Sequence, residues 1–181
     1  MHDSMTFDAP WDGKLTLVTT LVAVLLGGTV LFLIWLALTQ MPSLPLRLFL
    51  LFDAAVVAGV FVATALLAPR GYAIGEKTFR IERRLGAIEI PVASIREVGP
   101  LPPESLKGTW RTLGSGGFFG YYGRFRNRTL GSFRMYATRS EGYVLVRAEH
   151  PYVLTPDSPA RLIDELRRRG TKAIGAAPSS S

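Results

Sequence analysis

Arg124, Arg126 and Arg128 alternate with Phe125 and Asn127 in a strongly basic stretch. On an extended strand that spacing sets all three guanidinium groups on one outer face, and Arg134 falls where the next strand can place it alongside. Arginines gathered in this way hold phosphate oxygens through paired hydrogen bonds, which points to an anionic lipid headgroup. The same pattern also describes a solvated strand face whose charges discourage edge-to-edge pairing. Immediately before it, Phe118, Phe119, Tyr121 and Tyr122 stand among glycines in GSGGFFGYYG. Partly exposed, these rings form an interfacial or protein-binding patch. Packed inward, they need the glycines for bulges and tight bends. The stretch lacks the GK[ST] ending and the strand–loop–helix frame of a phosphate-cradling loop.

Little else has the composition of an active site. The chain has no cysteine, which removes disulfides, thiol nucleophiles and cysteine-ligated metals. Its two histidines, His2 in a tail and His150 in a loop, are too few for a metal centre or a catalytic triad. Glu82, Glu89, Glu97 and Asp164 are scattered among basic neighbours, with no spacing that pairs two of them. The reading is therefore no enzyme, no cofactor and no metal.

The elements that position these residues are β-rich. From Tyr72 the periodicity becomes two, with Phe79 and Ile81 opposed to Arg80 and Glu82, and Ile88 and Ile90 repeating after a turn. Ile95 and Val98 mark a further strand, and Leu101–Gly108 a loop or helical turn. Strands follow at Ser132–Arg139, Tyr143–Arg147 and Tyr152–Leu154. Pro159 then opens a helix capped by Asp157 or Ser158, with Leu162, Ile163 and Leu166 as its apolar side. Arg167, Arg168 and Arg169 suit its negative end and Gly170 stops it.

Before this domain lies the strongest signal in the chain. No ionisable side chain occurs between Lys14 and Arg47. About 20 apolar residues cross the roughly 30 Å hydrocarbon layer, so the sequence predicts two helical spans, Leu15–Leu38 and Leu46–Ala68. Met41-Pro42-Ser43-Leu44-Pro45 is the turn between them, where the prolines interrupt the helix and Ser43 can cap the next one. Gly27, Gly28 and Gly59 offer small faces for close helix approach. Asp53 is the one charge inside the hairpin, with no second acid, His or Lys to complete a relay.

Arg70, Lys77, Arg80, Arg83 and Arg84 follow the second span, which predicts a cytoplasmic domain and a cytoplasmic N-terminus by the positive-inside rule. Residues 1–70 hold three Lys/Arg and four Asp/Glu, and the remainder eighteen and ten, so the basic character belongs to the C-terminal domain. A basic domain tethered beside a bilayer favours anionic lipid over nucleic acid as partner.

The run Gly116–Arg139 carries the GGFFGYYG core, Leu130-Gly131-Ser132-Phe133 and Tyr136-Ala137-Thr138-Arg139. With Tyr152-Val153-Leu154-Thr155-Pro156-Asp157, it resembles the bacterial pleckstrin-homology-like domain family. The resemblance covers about Tyr72 to Arg169, and similar members often carry two membrane spans before the domain. It implies a PH-like barrel of seven strands in two nearly orthogonal sheets, one end covered by the helix, and it implies no reaction.

The organisation read from the sequence is then a cytoplasmic tail over 1–14, a two-helix transmembrane hairpin over 15–68, a mainly-β PH-like barrel with a C-terminal capping helix over 72–169, and a disordered tail over 170–181. The function that follows is a non-catalytic protein-interaction or self-assembly module at the cytoplasmic face of a bacterial inner membrane. The alternative is anionic-headgroup binding by the arginine face.

Overall fold

The computed structural model describes residues 5–170 and 172–173. Helices α1 (Gly13–Thr39) and α2 (Leu44–Leu67) form an antiparallel pair, each long and apolar enough to cross a membrane. At 1.5 Å per residue they measure about 40 and 36 Å, beyond the roughly 30 Å of a hydrocarbon core. Val24, Leu31 and Phe52 are about 70% exposed (70%, 69% and 69%), a surface suited to lipid rather than water. Ala37 of α1 and Ala54 of α2 are buried. A Cβ on Gly27, Gly28 or Gly59 would meet nothing within 4 Å, so those glycines are not the helix–helix contact expected of them. Ser43 is the N-cap residue of α2 but its side chain makes no capping bond; Arg47 Nε instead donates to Met41 O at 2.7 Å across the turn.

Two sheets follow. One has four antiparallel strands in chain order, β1 (Met5–Asp8), β2 (Pro69–Ile74), β3 (Thr78–Arg83) and β4 (Ala87–Pro91). The other comprises β5 (Glu97–Pro100), β6 (Trp110–Gly116), β7 (Tyr121–Asn127), β8 (Gly131–Ala137), β9 (Val144–Arg147), β10 (Pro151–Leu154) and β11 (Lys172–Ala173). Its order is β11-β5-β9-β10-β8-β7-β6, with β10 parallel to β8 and β11 parallel to β5. Helix α3 (Pro159–Arg168) contributes Leu162, Ile163 and Leu166 to the main core, beside Tyr72, Phe79 and Ile81 from the four-stranded sheet and Val98, Val144 and Leu154 from the other. The alternation read at Phe79–Glu82 holds: Phe79 and Ile81 face this core, and Arg80 and Glu82 face out. A second cluster, with Phe125, Phe133, Leu145 and Val153, fills the opposite face of the seven-stranded sheet beneath Leu101 and the 3₁₀ turn Pro103–Leu106.

Three expectations change. The sheets do not close into a barrel: among the described residues no ladder joins β4 to β5, because the 3₁₀ turn Val92–Ser94 separates them. The segment read as a tail over 1–14 is structured from Met5. Phe7 is buried in the core, and the β1 backbone pairs with β2 from Met5↔Ile74 to Asp8↔Gly71. The tail over 170–181 contains β11, paired with Glu97 and Val98; residue 171 and residues 174–181 lie outside the described residues, as does His2.

Candidate functional site

Local sequence builds the joint between the helices and the β-domain. The β6–β7 connection, Gly117–Gly120, is a tight turn closed by Gly117 N–H to Gly120 O at 3.2 Å and by the Ser115 hydroxyl to Phe118 O at 2.6 Å. Behind it, Gly114 and Gly123 have φ of 116° and 123°, and a Cβ on either would lie 2.1 Å from a carbonyl oxygen of the paired strand. Only glycine permits that approach, so the reading of these glycines as bend formers is the one that fits.

The turn delivers its rings to the helices. Phe118 and Phe119 each pack on Phe61 of α2 with centroids 5.4 Å apart, and Trp11 meets Phe119 edge-on at 5.9 Å. Phe119 N–H donates to the buried Thr19 hydroxyl of α1 at 3.2 Å. The Tyr122 hydroxyl donates to Thr64 O at 2.6 Å, and Leu85 N–H donates to Leu66 O at 3.0 Å. Both carbonyls belong to the last turn of α2, which has no partners of its own for them. Burial pushes the Tyr122 hydroxyl up to about 12 against the hydrogen bond from Ser115.

The N-terminal segment clamps the same joint. Asp12 caps α1 through Leu15 N–H at 2.7 Å and accepts from Ser140 N–H and its hydroxyl at 3.0 and 2.9 Å. Partial burial works to raise the Asp12 pKa, but the bonds from Leu15 and Ser140 and the Lys14 charge together hold it below its ordinary value. Thr138 donates its hydroxyl to Pro10 O at 2.9 Å, and Asp157 N–H donates to Asp8 O at 2.9 Å.

The aromatic quartet is therefore not a free patch. Phe118 and Phe119 are half-buried on the helices, Tyr122 is buried, and Tyr121 lies on the opposite sheet face against the second cluster. The arginine set also divides. Arg124 and Arg126 are exposed on β7 and follow Tyr122 on one face. That face is the inner one, continuous with the main core, rather than the outer face expected. Arg128 lies past the end of β7, in the turn before Gly131, and does not share the strand face.

Arg124 stands directly opposite Arg134 of β8. Arg134 lies over the Tyr152 ring at 5.7 Å and donates to the Tyr152 hydroxyl at 3.3 Å. Like charges directly opposite on a sheet repel. Among the described residues no carboxylate forms an ion pair with Arg83, Arg124, Arg126 or Arg134. Arg83 reaches the same region from the four-stranded sheet, and its Nε is buried without a hydrogen-bond partner. Burial raises the Tyr136 pKa, and the Arg83, Arg134 and Arg124 charges oppose it. A cavity of about 280 Å³ opens beside Arg124 and Arg134, rimmed by Ser132 and His150.

Depth along the joint follows from chain geometry. Phe61 lies about 10 Å inside the end of α2. Phe119 packs at that level, and Arg124 can be at most about 16 Å farther along the strand. Arg124, with Arg134 opposite it, thus lies at most about 6 Å past the helix end. Asp53 is exposed on α2, away from this joint.

Thr19, Phe61, Thr64 and Ser140 carry no sequence signal for their roles, because each acts through a partner 58 to 128 positions away, and the same holds for the bond of Asp12 to Ser140 though not for its local cap on Leu15.

Compared with known proteins, residues 70–170 match the family described as Bacterial PH domain. No curated protein and no solved structure matches the chain.

Proposed function

The chain belongs to the bacterial PH domain family, and from that premise we propose that it is a non-catalytic, membrane-anchored module that gathers anionic lipid headgroups at the joint between its helices and its β-domain. In this reading the hairpin spans the bacterial inner membrane and both ends of the described chain are cytoplasmic. The excess of Lys and Arg after α2 supports that orientation. The observation that carries the ligand is the convergence of Arg83, Arg124 and Arg134 without an ion-pair partner among the described residues. A phosphate there relieves the Arg124–Arg134 repulsion and accepts from guanidinium groups that otherwise lack a charged partner.

Spin-labelled phosphatidylglycerol and phosphatidylcholine, compared around the full chain in bilayers, test the reading. At low salt the anionic lipid is preferred, and Arg124→Gln/Arg134→Gln lowers the preference by up to about thirtyfold, since each arginine at the surface contributes about 1 kcal/mol. High salt has the same effect. A preference that neither substitution nor salt alters contradicts it.

Edge strand β6 favours a second reading, contact with a protein partner or a second copy. Trp110 and Leu113 are 71% and 66% exposed there, on the face shared with Arg126 and Arg124. Association through them resists salt and is lost in Trp110→Ser/Leu113→Ser, measured by analytical ultracentrifugation in detergent.

A further inference from the structure

A second basic site lies at the membrane end of the joint, apart from the arginine cluster above. A cavity of about 210 Å³ is walled by Trp11, Ala65, Ala68 and Phe119, with Arg70 and Arg84 at its polar side. Both arginines are exposed, and neither forms a side-chain ion pair or hydrogen bond among the described residues. On the α2 face below it, Ala58, Phe61 and Ala65 recur at helical spacing. Ala58 and Phe61, with Gly27 and Val30 of α1, line an apolar groove of about 370 Å³ between the helices. Phe61 belongs to the groove and packs on Phe119, which belongs to the upper cavity, so the two spaces adjoin.

We infer that this joint seats one anionic phospholipid, its phosphate between Arg70 and Arg84 and one acyl chain in the groove beside Ala58. The length fits. From Ala68 to Val57 α2 descends about 16 Å, close to the thickness of a single leaflet. The chemistry fits as well. Two guanidinium groups without an ion-pair partner among the described residues suit a phosphodiester, an indole belongs at the headgroup boundary, and the groove, lined by apolar residues, suits an acyl chain. A free phosphate satisfies the upper half alone. The inference rests on the membrane placement proposed above but not on the Arg83–Arg124–Arg134 site.

The test uses the full chain, extracted in mild detergent and examined by native mass spectrometry with added phosphatidylglycerol or phosphatidylcholine. One phosphatidylglycerol is retained at activation energies that strip the remaining lipid. Arg70→Gln/Arg84→Gln lowers its occupancy at least tenfold, as does Ala58→Phe, which fills the groove, whereas Arg161→Gln/Arg167→Gln, exposed on α3, leaves it in place. Retention unchanged by Arg70→Gln/Arg84→Gln, or equal retention of phosphatidylcholine, overturns the inference. Glycerophosphate that competes the lipid off at equal concentration also overturns it, since the groove would then contribute nothing. Thermal melts within a few degrees of the parent show that each variant is folded. Carbonate extraction of the source membranes reports separately on placement: a chain released to the supernatant refutes the membrane reading itself.

Discussion

Tyr122 and Thr64 stand 58 positions apart in the chain, yet the phenol of one caps the backbone of the other at 2.6 Å. Through this bond a strand of the β-domain completes the last turn of an apolar helix. The domain is held against the hairpin rather than hung from a linker, since α2 passes into β2 with only Ala68 between them.

Tyr122→Phe keeps the ring and removes the donor. It should lower stability by about 1 kcal/mol, seen as a drop of a few degrees in the melting temperature of the detergent-solubilised chain. Thr64→Ala is the control. Its carbonyl remains, and its hydroxyl bonds only to α2 itself, at Phe61 O among others, so the melt should stay close to the parent.

Thr19→Val tests the other contact. It leaves Phe119 N–H without its acceptor at a half-buried position, and about 1–3 kcal/mol should be lost. Thr29→Val removes a hydroxyl that bonds only Leu25 O within α1, and should be almost silent. Chemical denaturation in mixed micelles distinguishes the two. Equal effects would detach Thr19 from the joint.

Gly123→Ala and Gly114→Ala place a methyl 2.1 Å from a backbone oxygen, and should prevent β6–β7 pairing and abolish folded yield. Gly27→Ala and Gly59→Ala meet nothing within 4 Å and should express like the parent. Size-exclusion profiles of the four variants read this directly.

What the sequence made legible was whatever is local. The two apolar helices, the period-two strands, the Pro159 helix start and the glycine bends all depend on neighbours within a few positions, and all are present. What it hid depends on distant pairing. Met5–Asp8 is too short to show a period, and only the β2 backbone opposite makes it a strand. Phe118 and Phe119 read alike as an exposed patch or a packed plug, and Phe61 decides for the plug. The alternation of Arg124 and Arg126 correctly put them on one face, but which face is inner depends on where the second sheet lies. Arg128 was placed with them because alternation does not mark where β7 ends.

Acid should loosen the joint through Asp12. Its folded pKa lies below the ordinary 3.8, so its stabilisation is fully present above about pH 4 and is lost as pH falls through the folded value. Melting temperatures taken down to about pH 2.5 should decline more steeply for the parent than for Asp12→Asn, which lacks that carboxylate. Parallel declines would assign the acid sensitivity to other groups.

The most direct measurement is cross-linking in native membranes, made clean by the absence of any cysteine in the chain. Thr19→Cys with Phe119→Cys sets two thiols on residues that the parent joins through the Phe119 N–H to Thr19 hydroxyl bond of 3.2 Å, whereas Thr19→Cys with Arg126→Cys separates them by most of β7. Docking of the β-domain on the hairpin predicts rapid intrachain cross-linking of the first pair by a short oxidant-driven bridge, and little of the second. Failure of the first pair, or equal rates for both, would show a domain that moves freely from its helices and would remove the basis for setting Arg124 and Arg134 at headgroup level.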